Sequence, residues 1–190
     1  MRNERYMIGI LMTLVSCSPS DGASQAVVPT APSSTPPPAT KVEGFRPAAG
    51  TVMTFGYNNL GNVSNIAVDA RELSDTRGGS VRGVAVEVTQ SEYREERSFV
   101  DADELPELIR GIDALLAVKA NPTRYENFEV RYTTKGELQI TAFNSGQKIS
   151  YAIRTGRVTT AQAFIDEAGL QKLRALFQAA NQLLSTQPPK

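Results

Sequence analysis

The feature that most constrains the fold is a change of hydrophobic period, from two to about 3.6 residues, at two points in the chain. Near residues 101 and 166, runs in which apolar and polar residues alternate give way to amphipathic helical stripes. Alternation is typical of strands with one covered face, and the longer period is typical of a helix that packs on a sheet. The pattern predicts antiparallel strands that are interrupted once, and ended once, by a helix.

The predicted elements follow from these two periods. The alternating apolar positions are Ile66, Val68, Ala70, Val84, Val86, Val88, Phe128, Val130, Tyr132, Leu138, Ile140, Ala142, Ile149, Tyr151 and Ile153. The helical stripes are Leu105, Leu108, Ile109, Ile112, Leu115 and Leu116, and then Leu170, Leu173, Leu176, Phe177, Ala180 and Leu184. Shorter strands are predicted at 51–57, 97–100 and 163–165. We therefore predict an α+β domain, with one antiparallel sheet of six to eight strands and two helices on one face.

The two strand-to-helix junctions resemble each other. Phe99-Val100-Asp101 and Phe164-Ile165-Asp166 lie 65 residues apart, and the helical stripes match at the same spacing. At that spacing Val84, Val86 and Val88 correspond to Ile149, Tyr151 and Ile153. The likeness indicates two repeated halves, each of several strands followed by a helix. The alternative is that any strand-to-helix junction with a Phe and an Asp looks alike.

The N-terminal segment predicts export. Residues 1–16 contain two arginines and then an apolar run, Tyr6 to Val15, that is shorter than the ~20 residues a membrane-spanning helix needs. Leu14-Val15-Ser16-Cys17 resembles the lipobox of bacterial lipoproteins. That resemblance implies cleavage before Cys17 and attachment of lipid to its thiol. The alternatives are an ordinary cleaved signal with a chance cysteine and a buried N-terminal hydrophobic segment.

The residues after Cys17 bear on location and on domain boundaries. Ser18 stands where the lipoprotein sorting rule places aspartate for inner-membrane retention, so the resemblance implies the periplasmic face of the outer membrane. Residues 17–46 are rich in Pro, Ser, Thr and Ala, which predicts a disordered tether. The globular domain is predicted at 47–186, and residues 187–190 form a tail.

Composition limits the chemistry that is available. The chain has no histidine and a single cysteine, Cys17, so Ser–His and Cys–His catalysis and the usual zinc and copper sites lack their residues. It has 20 basic and 20 acidic residues, which gives no electrostatic reason to bind nucleic acid. No S-x-x-K, G-x-S-x-G or phosphate-binding loop is present. We expect no cofactor, no metal and no nucleic-acid partner.

Two polar clusters are candidates for chemistry. The acidic one comprises 101–104 with Glu92, Glu95 and Glu96. Its carboxylates could bind a hard cation or hydrolyse a glycan. No calcium-loop spacing is present, however, and helix capping by Asp101 with Glu104 and a solvated surface explain them better. The basic cluster could line an anion or glycan surface, or could fill an exposed sheet face. Its members are Arg71, Arg77, Arg82, Arg94 and Arg97, with Tyr93 among them.

Aromatic residues in the second half are candidates for a binding surface on the helix-free face. They are Tyr125, Phe128, Tyr132, Phe143 and Tyr151. Those that point towards the helices would instead fill the core. From both sets, the binding residues we select are Tyr132, Tyr151, Arg94 and Arg97.

Further stretches resemble a group of uncharacterised exported bacterial proteins. They are residues 98–105, Gly111-Ile112-Asp113 and residues 128–138. This resemblance implies that the domain recurs as a unit, and it implies no activity. The sequence therefore favours a non-catalytic envelope lipoprotein whose tethered domain binds another envelope protein or a surface polymer. The alternative is a carboxylate-dependent hydrolase that acts on cell-wall or capsule glycans.

Overall fold

The computed structural model describes residues 37–119, 122–146 and 148–186. The predicted signal peptide, Cys17 and most of the predicted tether lie outside the described residues. The predicted tail at 187–190 lies outside them as well.

The described residues form strands and helices in the predicted alternation. The first strands are β1 (Met53–Val63), β2 (Ile66–Asp75), β3 (Ser80–Ser91) and β4 (Arg94–Asp101). The later strands are β5 (Glu129–Thr133), β6 (Gln139–Ser145), β7 (Lys148–Thr155) and β8 (Ala161–Ile165). The helices are α1 (Lys41–Gly44), α2 (Leu105–Leu116) and α3 (Glu167–Thr186), and a 3₁₀ turn, Ala102–Glu104, leads into α2.

The strands build two antiparallel sheets. The first has the order β1-β2-β3-β4 and the second has the order β5-β6-β7-β8, so every strand pairs with its neighbour in sequence. The α+β class and the antiparallel pairing are confirmed, whereas the prediction of one sheet of six to eight strands is wrong. Alternation shows which face of a strand is covered, but it carries no information on whether β4 pairs with β5 across the intervening helix.

Both sheets contribute to one apolar core. Val86 of the first sheet and Ile153 of the second are fully buried, and they belong to the same cluster as Leu108 of α2 and Leu173 of α3. Each such side chain contributes about 1.5–3 kcal/mol when it is taken out of water. The two helices therefore serve a core that the two sheets share.

Each helix packs against the half of the chain to which it does not belong. Helix α2 follows the first sheet but packs against β5 and β6 of the second, and α3 packs against β1, β2 and β3 of the first as well as β7 and β8. The approach of α2 is close, because a Cβ at Gly111 would lie 2.4 Å from the ring of Tyr132. The two halves are thus interlocked.

Both halves have four antiparallel strands followed by a helix, but the predicted 65-residue spacing does not hold throughout. The 65-residue spacing holds in the helices, where Leu108 and Leu173 are both fully buried. It fails between β3 and β7, because Val84 pairs with Val100 whereas it is Tyr151 that pairs with Ile165. The predicted match of Val84 with Ile149 is therefore out of register by two residues, because paired Val84 and Val100 are 16 residues apart whereas paired Tyr151 and Ile165 are 14 apart.

Structured chain begins before the predicted boundary at residue 47. Thr40 caps α1 through a capping box with Glu43, and Val42 is buried against the first sheet. Gly83 makes room for this contact, since a Cβ there would lie 2.8 Å from the Val42 side chain. The described part of the predicted tether is thus ordered from about Thr40. A four-residue helix has no periodic stripe, so the sequence did not reveal it.

Asp101 holds α1 on the first sheet. Its carboxylate, in a residue only 2% exposed, accepts hydrogen bonds from the backbone N–H groups of Lys41 at 2.9 Å and Val42 at 3.2 Å. The side chain makes no capping bond to the turn before α2, so the predicted capping role is wrong. Glu104 is also engaged elsewhere, because its carboxylate accepts from the backbone N–H of Lys135 at 2.9 Å.

Asp101→Ala is expected to lower the free energy of unfolding by about 1–3 kcal/mol, because two amide groups lose their acceptor. It is also expected to expose Lys41 to trypsin. Denaturant unfolding and limited proteolysis measure the two effects. Asp103→Ala is the matched control, since it removes only an exposed ion pair with Lys41. Equal effects of the two substitutions would contradict the role given to Asp101.

Gly111→Ala is expected to destabilise the protein by about 1–3 kcal/mol, although alanine is the better helix former, because the methyl group overlaps the Tyr132 ring. In a Tyr132→Ala background the same change is expected to be neutral or stabilising. A double-mutant cycle of unfolding free energies measures this coupling. Additive effects would show that α2 does not press on β5.

Candidate functional site

The outward surface of the second sheet, which we call the open face, carries a shallow depression of about 290 Å³. It spans all four strands and is bordered by charged, amide and aromatic side chains. These residues are Glu129, Arg131, Gln139, Thr141, Phe143, Ala152, Arg154, Gln162 and Phe164.

Strand register brings these residues together. Arg131 lies opposite Thr141, Thr141 opposite Ala152, and Ala152 opposite Phe164, so one straight row crosses the sheet from β5 to β8. Their neighbours along each strand point into the core, as Ile153 does beside Ala152. The alternation that fills the core therefore also builds the open face.

An aromatic pair forms the apolar part of the open face. The rings of Phe143 and Phe164 meet edge to face, with centroids 6.1 Å apart and planes at 76°. Phe164 remains 65% exposed. Together the two rings form an exposed apolar surface that is accessible to a ligand or a partner.

Hydrogen-bond donors flank the aromatic pair. The Arg131 guanidinium donates to the Thr141 hydroxyl at 3.3 Å and pairs with the Glu129 carboxylate at 3.1 Å, which orients it across the sheet. Arg154 and Gln162 add a second guanidinium and an amide to the border. Guanidinium groups bind carboxylates in a bidentate manner, and amides bind hydroxyl groups. The depression thus combines an apolar ring surface with donors for acidic and hydroxyl groups.

The two tyrosines that we selected do not lie on the open face. Tyr151 is 2% exposed inside the core, and Tyr132 is half-buried against Gly111 of α2. Burial raises the pKa of both phenols above the ordinary value. Both side chains point inward, like the alternate apolar residues of their strands, so neither is on the helix-free face.

The two selected arginines lie elsewhere as well. Arg94 is exposed at the start of β4, and Arg97 lies on the outward surface of the first sheet, where it pairs with Glu87. The residues that the sequence reasoning missed are Arg131, Arg154 and Phe164. Their signal was available, since each alternates with buried positions of its own strand.

A second concave surface, the apolar groove, lies between α1 and the outward surface of the first sheet. Its volume is about 540 Å³. Its lining is Val42, Glu43, Phe45, Arg46, Pro47, Met53, Phe55, Arg71, Leu73, Arg97 and Phe99. The Arg71 guanidinium lies 5.4 Å from the Tyr57 ring centroid and pairs with Asp69 at 2.8 Å. The groove is therefore largely apolar, and two of the arginines that line it, Arg71 and Arg97, pair with carboxylates beside it.

The acidic cluster serves the fold in several separate places. Asp101 and Glu104 hold backbone amides, and Asp103 pairs with Lys41 at 2.6 Å. The hydrogen bond from Lys41 lowers the pKa of Asp103 below its ordinary value and raises the pKa of Lys41. Within the described ranges, no group of three or more acidic residues is arranged to hold a metal ion.

Comparison with known proteins adds no candidate function. The chain matches no protein-family model, and no curated protein matches it either. None of the helices in the described ranges is long and apolar enough to cross a bilayer.

Proposed function

We propose that the protein is a non-catalytic lipoprotein of the bacterial envelope, anchored through lipid on Cys17, whose domain binds a surface polymer on the open face. Another envelope protein is the second candidate partner. The observation that carries the proposal is the depression that crosses all four strands of the second sheet, with Phe143 and Phe164 beside Arg131 and Arg154.

The shape of the depression favours a long ligand. Pockets for small molecules enclose most of the ligand surface, whereas the open face is a shallow surface between exposed side chains. A polymer can cross such a surface and continue beyond it at both ends. The row from Arg131 to Phe164 supplies contacts along its path.

The chemistry favours an acidic polysaccharide. The exposed ring of Phe164 offers an apolar surface for the face of a sugar ring, and the guanidinium groups offer partners for uronate carboxylates. Arg131 is already oriented by Thr141 and Glu129, so less side-chain entropy is lost on binding.

The predicted anchor and tether suit this role. Lipid on a single cysteine would hold the chain at a membrane surface when several acyl chains are attached. At about 3 Å per extended residue, a tether from Cys17 to Thr40 would let the domain reach several tens of ångströms. Asp101 fixes the point where that tether joins the fold.

One observation favours the protein partner. Phe55 is 65% exposed at the border of the apolar groove, and contiguous exposed apolar surface is typical of protein–protein contacts. The glycan hydrolase has no comparable support. It would need two facing carboxylates about 5–10 Å apart, and Glu129 is the single acidic residue that lines the open-face depression.

Phe164→Ala and Arg131→Gln are each expected to weaken binding to an acidic polysaccharide about tenfold, which corresponds to ~1.4 kcal/mol. Sedimentation with insoluble alginate measures the affinity, with neutral dextran as the comparison polymer. Arg110→Gln is the matched control, because Arg110 is an exposed arginine on α2. Alginate binding that survives both substitutions would contradict the open face as the polymer site. Loss of binding in Phe55→Ala alone would favour the apolar groove.

Cys17→Ala is expected to remove the protein from the membrane fraction and to abolish incorporation of labelled palmitate, because the acyl chains would have no thiol to carry them. Cell fractionation and autoradiography measure the two effects. Ser16→Thr and Ser18→Ala, which keep the cysteine, serve as controls. A Cys17→Ala chain that stays membrane-bound would refute the anchor.

A further inference from the structure

Strand β1 is an exposed sheet edge. It pairs with β2 on one side, and the order of the first sheet places it at the margin. Residues 54–59 are all exposed, and two aromatic rings project from them, Phe55 at 65% and Tyr57 at 74% exposure. A long edge with free backbone groups is a template for pairing with another strand.

The usual protection of such an edge is weak here. Residues 48–68 contain no charged residue and no proline, although charges and proline are the common devices against edge pairing. The other edges differ, because β4 carries Arg94, Glu95, Glu96 and Arg97, and β5 and β8 each have five residues. The regular part of β1 ends at a bulge between Asn59 and Gly61. Residues 53–59 thus form an uninterrupted, uncharged edge.

The hydrogen bonds between β1 and β2 show which backbone groups of β1 point away from β2. The backbone N–H of Thr76 donates to the carbonyl of Val52 at 3.2 Å, which makes this pair a bonded one. Bonded positions alternate in an antiparallel ladder, so Thr54, Gly56 and Asn58 direct their backbone groups to β2. The backbone groups of Met53, Phe55, Tyr57 and Asn59 therefore point away from the sheet.

We propose that β1 pairs with β1 of a second copy of this chain, antiparallel and about a two-fold axis at Gly56. The first sheets of the two copies then join into one sheet of eight strands. Gly56 is the centre of the regular segment 53–59. About this centre Phe55 faces Tyr57 of the second copy, and Thr54 faces its Asn58. The backbone N–H and C=O groups of Phe55 and Tyr57 both point away from β2. In this register Phe55 can therefore form backbone hydrogen bonds with Tyr57 of the second copy.

A second copy suits this edge because the segment is complementary to itself. Aromatic residues meet aromatic residues, and polar residues meet polar residues, which is the pairing that stabilises adjacent strands. No like charges are opposed. A side chain can be placed at Gly56 for a test, since a Cβ there would have its nearest neighbour, the Glu72 carbonyl oxygen, at 3.6 Å. An isologous contact of this kind closes as a dimer and does not propagate.

The test is disulfide crosslinking of the full-length chain in membranes. Gly56→Cys places a thiol opposite itself, where the Cα atoms of a non-bonded pair lie about 4.5 Å apart, within disulfide range. Thr54→Cys is the matched control, because in this register its copy lies about 13 Å away along the strand. The unaltered chain is a second control, because any disulfide dimer that it forms must arise through Cys17. We expect at least tenfold more dimer on non-reducing gels for Gly56→Cys than for Thr54→Cys.

The double variant Thr54→Cys with Asn58→Cys is expected to restore crosslinking, because the two positions face each other. Gly56→Lys places two charges on the axis and is expected to halve the detergent-corrected mass measured by light scattering, while thermal unfolding confirms that it folds. Equal crosslinking of Gly56→Cys and Thr54→Cys, or crosslinking of Gly56→Cys to a different protein, would overturn the proposal. Alginate binding by Gly56→Lys is expected to be unchanged. The proposal of self-pairing and the proposal of polymer binding can therefore be refuted independently of each other.

Discussion

The structure depends on one apolar core that two sheets share, because each long helix packs against strands of the other half. Val86 and Ile153 come from different sheets, yet both pack in the cluster that contains Leu108 and Leu173. Because α2 reaches β5 and β6 and α3 reaches β1, neither half covers its apolar face with its own residues alone. The contact of Gly111 with Tyr132 shows how closely α2 packs against β5. Stability of the domain is therefore a property of both halves together.

In this arrangement the inward surface of each sheet packs in the core and the outward surface does not. The outward surfaces of the two sheets differ. Asp101 and Asp166 occupy equivalent positions at the ends of β4 and β8. Asp166 accepts a hydrogen bond from the N–H of Gly169 at 2.8 Å, in the first turn of α3. Asp101 instead binds the backbone of α1, which covers part of the first sheet. The second sheet keeps the open face. Asp101 therefore serves the element that covers part of its sheet, whereas Asp166 serves the helix that follows it.

The surfaces proposed for binding have different physical characters. The open face combines Phe143 and Phe164 with guanidinium and amide donors, so it suits a polar polymer with sugar rings. The edge of β1 offers backbone groups and aromatic rings without charge, so it suits a strand of its own kind. The two lie on different sheets and use different interactions. A domain that used both surfaces would associate with its copy and hold a polymer at the same time, and pairing two polymer sites raises the effective affinity for a repeating ligand.

The sequence by itself determined the strands, the two long helices, the α+β class and most of the core, because side-chain period records which face of an element is covered. The alternation of inward and outward side chains along a strand could also have placed Tyr132 and Tyr151 in the core, and Arg131 and Phe164 on the surface. The tertiary structure alone decided that the strands form two sheets, that each helix packs against strands of the other half, and that Asp101 binds α1. These outcomes rest on contacts such as Lys41 with Asp101, between residues far apart in sequence. A local pattern of hydrophobicity carries no information about contacts between residues that are far apart in sequence.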